Sequence, residues 1–422
     1  MYRVLSCPRE ACQATVRGPP NRPSSRHPAN PRVTLARPPP QRACRDKPVP
    51  LRTEPFECIF LELTNRCNFN CAFCPNSTMT RHRGRMDEDL AKRLLDEIAE
   101  QELCQWVNLS LMGEPLLHPH ALAIAEHGVR LGLPIHLITN LSLLTPEHLR
   151  HLLDLPIAHL ALSLQTANRE DFLLKEAPDR FSFEQSMETI EQAVRTKLER
   201  HSATEISIHF LTTRLERPRG ISLLEGTRQR LALTRHFRER ARSWAEEYSL
   251  PAPLNPPVQE PLSFWLGLDG FVPLLPGVAV CFKRATLWAN TLLLDGAEIE
   301  ARKEGTCQLA LDTLGILWDG SLTLCCLDFD GVLTFGEVSH STITDALKSQ
   351  EYEKLRQAFE EHRLVPPFCQ QCRGHVIGPL ARRLVPGSIP ALAGEAWKYL
   401  GRFQLRRTLH RLPQELARYL RR

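Results

Sequence analysis

The stretch that decides the reading is Phe56-Glu57-Cys58-Ile59-Phe60-Leu61-Glu62-Leu63, followed at once by Thr64-Asn65-Arg66-Cys67-Asn68-Phe69-Asn70-Cys71-Ala72-Phe73-Cys74-Pro75. The first half is an apolar run of strand length. The second half places three thiols, Cys67, Cys71 and Cys74, within eight residues of loop. Thiolates at that spacing grip one inorganic centre from a single loop. A [4Fe–4S] cube takes four ligands, so three cysteines leave one iron open to a small molecule. Structural zinc is the plainer alternative. Zinc sites favour paired Cys-x2-Cys knuckles with a fourth protein ligand, and beyond Cys74 the next histidine is His82.

Downstream, strand-length runs at Trp106–Leu111, Ile135–Ile138, Ile157–Leu164 and Ile206–Thr212 alternate with helical patterns at Glu88–Glu100, His120–Leu131, Pro146–Leu153 and Phe183–Leu198. This alternation predicts a parallel sheet with right-handed crossovers, closing into a full or partial (β/α) barrel. Catalytic groups belong at the C-terminal ends of such strands. Between residues 215 and 305 the pattern is harder to divide. Gly226–Tyr248 reads as a charged helix, and Pro251–Pro261, with five prolines, as a linker. After Cys307 the style changes. Leu314–Leu317 and Leu322–Cys325 flank Trp318-Asp319-Gly320-Ser321, where Asp-Gly signals a hairpin, and a helix follows over Ser341–Phe359. A domain boundary is placed near residue 300.

The 422 residues carry a net charge of +5, unevenly spread. Residues 1–50 and 382–422 each hold 10 Lys+Arg against 2 Asp+Glu, which leaves the middle at −11. An acidic body does not suit nucleic-acid binding. Residues 1–50, with eleven prolines and no apolar period, read as disordered. Their Arg-rich, acid-poor character also suits a transit peptide, although the prolines oppose its amphipathic helix. Residues 377–422 form a basic tail with apolar residues at helical spacing from Trp397. The plain reading is a helix packed on the acidic body, and the sharper one a peripheral membrane or partner contact. No apolar run approaches the roughly 18 residues of a membrane span. Without an apolar signal peptide the chain is expected in the cytoplasm, where clustered cysteines serve as metal ligands.

In its Thr64-Asn65-Arg66-Cys67-Asn68 context, with Phe73 before the third cysteine, Cys-x3-Cys-x2-Cys resembles the signature of the radical S-adenosylmethionine (SAM) superfamily. The resemblance implies a partial (β/α)6 TIM-like barrel. It also implies that Cys67, Cys71 and Cys74 hold a [4Fe–4S] cluster whose open iron takes SAM. One electron then releases a 5′-deoxyadenosyl radical that removes hydrogen from the substrate. Met112-Gly113-Glu114-Pro115 resembles the family's Gly-Gly-Glu-Pro, with Met112 in place of the first glycine. Glu114 would accept hydrogen bonds from the SAM ammonium. Thr139-Asn140 stands where the family has Thr-Asn-Gly, Leu141 replacing the glycine, and Ser163-Leu164-Gln165 resembles Ser-Leu-Asp. Phe73, Gly113, Glu114, Asn140, Ser163 and Gln165 are therefore the expected cofactor-binding residues.

Cys307, Gly320, Cys325 and Cys326, then Cys369-Gln370-Gln371-Cys372, resemble the C-terminal SPASM/twitch extension of such enzymes. This implies a small α+β Fe–S domain over 301–376 after a core over 55–300. Full SPASM domains carry seven cysteines and two auxiliary clusters, whereas no cysteine follows Cys372. One auxiliary [4Fe–4S] cluster is expected on Cys307, Cys325, Cys369 and Cys372, with Cys326 as substitute or neighbour. Zinc on four cysteines is the alternative.

Alternate strand residues face a barrel's interior. Asn108, Ser110, His136, Ser207 and His209 fall at such positions, and His136 or His209 is expected to line the pocket as a catalytic group. Cys281 is a further cysteine that could reach the site. The resemblance implies net oxidation or cross-linking of a peptide or protein, with flavodoxin or ferredoxin as reductant. Dehydrogenation of a sugar or other small molecule, or a non-catalytic metal-stabilised scaffold, are the rival readings.

Overall fold

Residues 54–178, 180–250 and 270–378 are described by the computed structural model. Strand β1 (Phe56–Leu61) opens a series of strand–helix units. They comprise α1 (Glu88–Glu100), β2 (Cys104–Asn108), α2 (Ala121–Arg130), β3 (Ile135–Thr139) and α3 (Pro146–Asp154). Next come β4 (His159–Gln165), the short α4 (Arg169–Phe172), α5 (Phe183–Glu199), β5 (Glu205–Thr212) and α6 (Thr227–Glu247). A hairpin, β6 (Gly270–Leu275) and β7 (Val278–Arg284), follows, then β8 (Glu298–Glu300), α7 (Gln308–Asp312), β9 (Thr313–Ile316), β10 (Ser321–Thr323) and β11 (Thr334–Glu337). The described chain ends with α8 (Ile343–Leu347), α9 (Gln350–Glu360), α10 (Pro367–Cys372) and β12 (His375–Ile377).

Local chemistry starts and stops these elements. Asp87 caps α1 by accepting from the amides of Asp89 and Leu90, while Leu94, Leu95 and Ile98 recur on its buried face. Ser182 and Gln185 form a reciprocal capping box on α5.

Ten strands form one sheet in the order β11-β10-β9-β1-β2-β3-β4-β5-β7-β6. Pairing is parallel from β1 through β5 to β7, which makes the partial (β/α)6 barrel. The sixth strand, β7, comes from the region that resisted division by sequence. Pro273 disguised the hairpin. It sits in β6 at the sheet's edge, where a missing amide donor is tolerated.

Both faces of the central strands are buried, but differently. Phe210 meets Phe237 of α6 at 5.7 Å and Phe282 of β7 at 6.0 Å on the helix side. Its neighbours His209 and Leu211 must then face the lumen, as period-two alternation requires.

Several expected spans shift by one or two residues at an end, and two differ by more. β2 ends at Asn108, because the Asn108 carboxamide oxygen accepts from the amide (3.2 Å) and hydroxyl (2.9 Å) of Ser110 and turns the chain there. The helix expected over Ser341–Phe359 is two helices. Ser349 breaks it by capping α9, its hydroxyl accepting from the Tyr352 amide at 3.2 Å.

The segment beyond residue 300 joins the barrel sheet directly, since β9 pairs in parallel with β1 through Ile59 and Leu314. β8 and β12 form a separate two-stranded sheet. Among the described residues no helix is long and apolar enough to cross a membrane. Residues 1–50, the linker Pro251–Pro261 and the tail beyond 378 lie outside the described residues.

Candidate active site

The cysteine loop leaves the C-terminal end of β1 and is pinned at both ends. Thr64 donates its hydroxyl to the Gly84 carbonyl at 2.5 Å, and Asn65 bonds the Gly84 amide (2.8 Å) and the His82 carbonyl (2.7 Å). Within the loop Phe69, Ala72 and Phe73 are buried and pack in the hydrophobic core. The thiols lie close enough to oppose one another's ionisation. Burial, then Cys71 and Glu114, push the Cys67 thiol up to about 12. Burial, then Cys71 and Cys67, push Cys74 well up too. A bound cation replaces those protons, so the donor set suits a metal cluster that takes thiolates. Among the described residues no three His, Cys, Asp or Glu side chains stand together in metal-coordinating geometry.

Three strand ends converge on this loop. Gly113 has φ +78°, and a Cβ there would stand 2.4 Å from the Thr64 carbonyl oxygen, so only glycine fits. Glu114 is 2% exposed and accepts from the Thr139 hydroxyl (2.8 Å), the Asn140 amide (2.6 Å) and the Leu116 amide (3.2 Å). Burial nevertheless raises its carboxyl to about 7. The Asn140 carboxamide donates to Asn68 at 2.8 Å and approaches the Cys67 sulfur at 3.9 Å, which ties the end of β3 to the cysteine loop. Leu141, in place of a glycine, holds φ +80° and is buried. Ser163 and Gln165 end β4, Gln165 with φ +65° where the β4–β5 register shifts.

Lys175 was not singled out by sequence reasoning. It is fully buried, donates to the carbonyls of Ser163 (2.6 Å) and Leu164 (3.2 Å), and lies over the rings of Phe69 and Phe172. Burial lowers its ammonium to about 8, against the pull of Cys71, Cys67 and Glu114. A buried cation thus lies within electrostatic reach of Cys67, Cys71 and Glu114. The only signal in the sequence was a lysine in the apolar run Phe172-Leu173-Leu174-Lys175 shortly after β4.

The second cysteine group also converges. Cys307 precedes α7, Cys325 and Cys326 follow β10, and Cys369 and Cys372 lie on α10. Burial, then Cys307, Cys325 and Cys372, raise the Cys369 thiol, so these four sulfurs share one neighbourhood. Cys326 is fully buried, and its hydrogen bond to Cys325 holds that thiol below the usual range. Asp328 closes the loop after the pair by accepting from Thr323 (2.6 Å), Val332 (2.8 Å) and Leu333 (2.8 Å).

His136 and His209 are brought into one row on the lumen side, with His159 between them. Ring centroids lie 5.1 Å apart for His136–His159 and 6.3 Å for His159–His209, and Trp106 stacks on His136 at 5.5 Å. Burial and the nearby Lys283 ammonium hold His136 down at about 4 and push His159 and His209 well below the usual range. His159 and Lys283 were not anticipated from sequence. Cys281 is the ladder partner of His209 and is buried.

Residues 61–214 match the Radical SAM superfamily, and residues 307–373 match an iron–sulfur cluster-binding domain, SPASM. The AdoMet-dependent heme synthase of Methanosarcina barkeri is 37% identical over 113 residues, 26% of this chain and 32% of the relative. The PqqA peptide cyclase of Rhodopseudomonas palustris is 35% identical over 108 residues, 25% of this chain and 28% of the relative. The chain thus spans about a third of the length of the curated relatives it matches. The structure of Streptococcus suis SuiB bound to precursor peptide SuiA aligns at TM-score 0.47 and 15% identity, over 72% of this chain and 67% of that one. With the three-thiol loop at the end of β1 and a second cysteine group beyond residue 300, the chain carries a radical SAM superfamily domain over residues 61–214 and a C-terminal SPASM iron–sulfur segment over residues 307–373.

Proposed function

We propose that this protein is a radical SAM oxidoreductase acting by net oxidation or cross-linking on a peptide or protein. The observation that carries this is the ring of Glu114, Asn140 and Lys175 around the thiols of Cys67, Cys71 and Cys74 at the C-terminal strand ends. In this reading the three thiols hold a [4Fe–4S] cluster. Together with SAM and one electron, that group supplies a 5′-deoxyadenosyl radical. Glu114 accepts hydrogen bonds from the SAM ammonium, and Asn140 holds the strand end against the cysteine loop. Ser163 and Gln165 border the nucleotide. Lys175 offsets negative charge at the centre. The apolar packing beneath the loop excludes water from the reacting carbon.

The region 55–300 is the core and 301–376 the auxiliary domain. Cys307, Cys325, Cys369 and Cys372 hold the auxiliary group, with Cys326 beside them. A second iron–sulfur group held there would accept the electron that the substrate radical gives up, which favours oxidation over rearrangement. Similarity to peptide cyclases supports a peptide substrate. A flavodoxin or ferredoxin in the cytoplasm is the reductant this chemistry needs.

Anaerobically reconstituted protein, given SAM and dithionite, should form 5′-deoxyadenosine, and adding SAM should change the electron paramagnetic resonance of the reduced cluster. Neither effect in fully iron-loaded protein would overturn the reading.

A further inference from the structure

Ser207 stands between two histidines in the barrel lumen. Its Oγ lies 2.6 Å from Nε2 of His159 and 2.6 Å from Nε2 of His209. A hydroxyl carries one proton, so it donates to one ring and accepts from the other. The two neutral imidazoles must therefore be opposite tautomers, and the three groups form a directional chain rather than two separate bonds.

The chain has an inner and an outer end. His209 lies mid-strand in β5 and is buried, with Cys281 across the ladder. His159 is the first residue of β4, and His136, which meets it edge-on at 5.1 Å, is near the start of β3 and partly exposed. The cysteine loop sits at the opposite, C-terminal end of these strands. The row thus leads from the interior to the rim farthest from the thiols.

We propose that His209, Ser207 and His159 form a proton relay that carries the proton released by substrate oxidation to the N-terminal rim of the barrel. The inference rests on the radical SAM reading and deepens it. Two-electron oxidation of a substrate C–H flanked by N–H or O–H removes a hydrogen atom, an electron and a proton. The hydrogen atom goes to the 5′-deoxyadenosyl radical, giving 5′-deoxyadenosine. The electron goes to the auxiliary iron–sulfur group. The proton, leaving the heteroatom as its new bond to carbon forms, goes to Nδ1 of His209. His209 then passes its Nε2 proton to Ser207 Oγ, and Ser207 passes its own to Nε2 of His159. His159 gives its Nδ1 proton to water at the N-terminal rim beside the partly exposed His136, restoring neutrality. Burial, and after it Lys283 on β7 and the neighbouring rings, keeps the imidazoles of His136, His159 and His209 in the neutral form that can accept.

Two measurements on the full, iron-loaded chain test this. Nitrogen-15 NMR of labelled histidine should show His209 carrying Nε2–H and His159 carrying Nδ1–H, and both rings in one tautomer would overturn the relay. In turnover, the ratio of oxidised product to 5′-deoxyadenosine should fall at least about tenfold in Ser207→Ala and His209→Gln. Ser207→Thr, which keeps a hydroxyl, should restore it. The ratio is independent of how much protein folds. An unchanged ratio in both variants, or Thr no better than Ala, would overturn the relay alone. No 5′-deoxyadenosine from the wild type would overturn the radical reading and the relay with it.

Discussion

Arg81 and Glu62 are joined by two hydrogen bonds, Nη1 to Oε2 at 2.6 Å and Nη2 to Oε1 at 2.5 Å, where the first strand, the cysteine loop and the C-terminal hairpin meet. The fully buried Glu62 carboxylate also accepts from the amides of Met112 and Trp318, each at 3.2 Å. Arg81 donates from Nε to the Phe329 carbonyl at 2.6 Å, and the Thr80 and Arg81 amides both bond Asp330 (2.6 and 3.1 Å). One ion pair therefore sets the placement of the cysteine loop against the segment that carries Cys325 and Cys326.

Removing one partner of a buried, hydrogen-bonded pair leaves the other charge uncompensated. Glu62→Gln or Arg81→Met should each destabilise the fold by about 3–5 kcal/mol, and the double variant by clearly less than the sum. Urea denaturation checks this, and additive losses would contradict the coupling.

The two cysteine groups should load independently. Cys71→Ala should lose about four irons and all 5′-deoxyadenosine formation, while Cys369→Ala should lose only the auxiliary iron. Iron and sulfide analysis after anaerobic reconstitution reads both. Tetrahedral zinc in the second group, with no iron lost from Cys369→Ala, would identify that site as structural.

Glu114 predicts the pH profile of SAM binding. Only its ionised form accepts from the ligand's ammonium, and burial places its carboxyl at about 7. Below that pH binding must first expel a proton, so affinity should fall toward tenfold per pH unit, and it should be level above it. Glu114→Gln should weaken binding at pH 8 by about 1.5–3 kcal/mol and flatten the profile. Calorimetric titration at pH 6, 7 and 8 distinguishes these outcomes.

The lumen histidines make the fold acid-sensitive. His136 is held below its unfolded value of 6.5, at about 4, so the folded state favours the neutral ring. That contribution is complete above about pH 6.5 and is lost as pH falls toward 4. It amounts to on the order of 3 kcal/mol. His136→Gln should therefore reduce the difference between urea midpoints measured at pH 7 and pH 5, and an unchanged difference would show that the ring titrates freely.

The cysteine loop and the strand–helix alternation were legible in the sequence, because each depends on spacing along a few residues: three thiols in one loop, a period of two or 3.6. Glu114, Asn140 and Ser163 were named from the family resemblance rather than from any spacing. β7 was not legible, because its hairpin partner carries Pro273 and only its edge position makes that acceptable. Nor was the docking of β9 on β1, which joins Ile59 to Leu314. Lys175, His159 and the Arg81–Glu62 pair were invisible for the same reason. Their meaning lies in neighbours brought in from other strands, such as Ser207 beside His159 and Trp318 beside Glu62. Local spacing determined what each segment is. Which distant segments share a buried space, and so which charges face one another without water, was decided only when the strands assembled into one sheet and the hairpin packed against the loop.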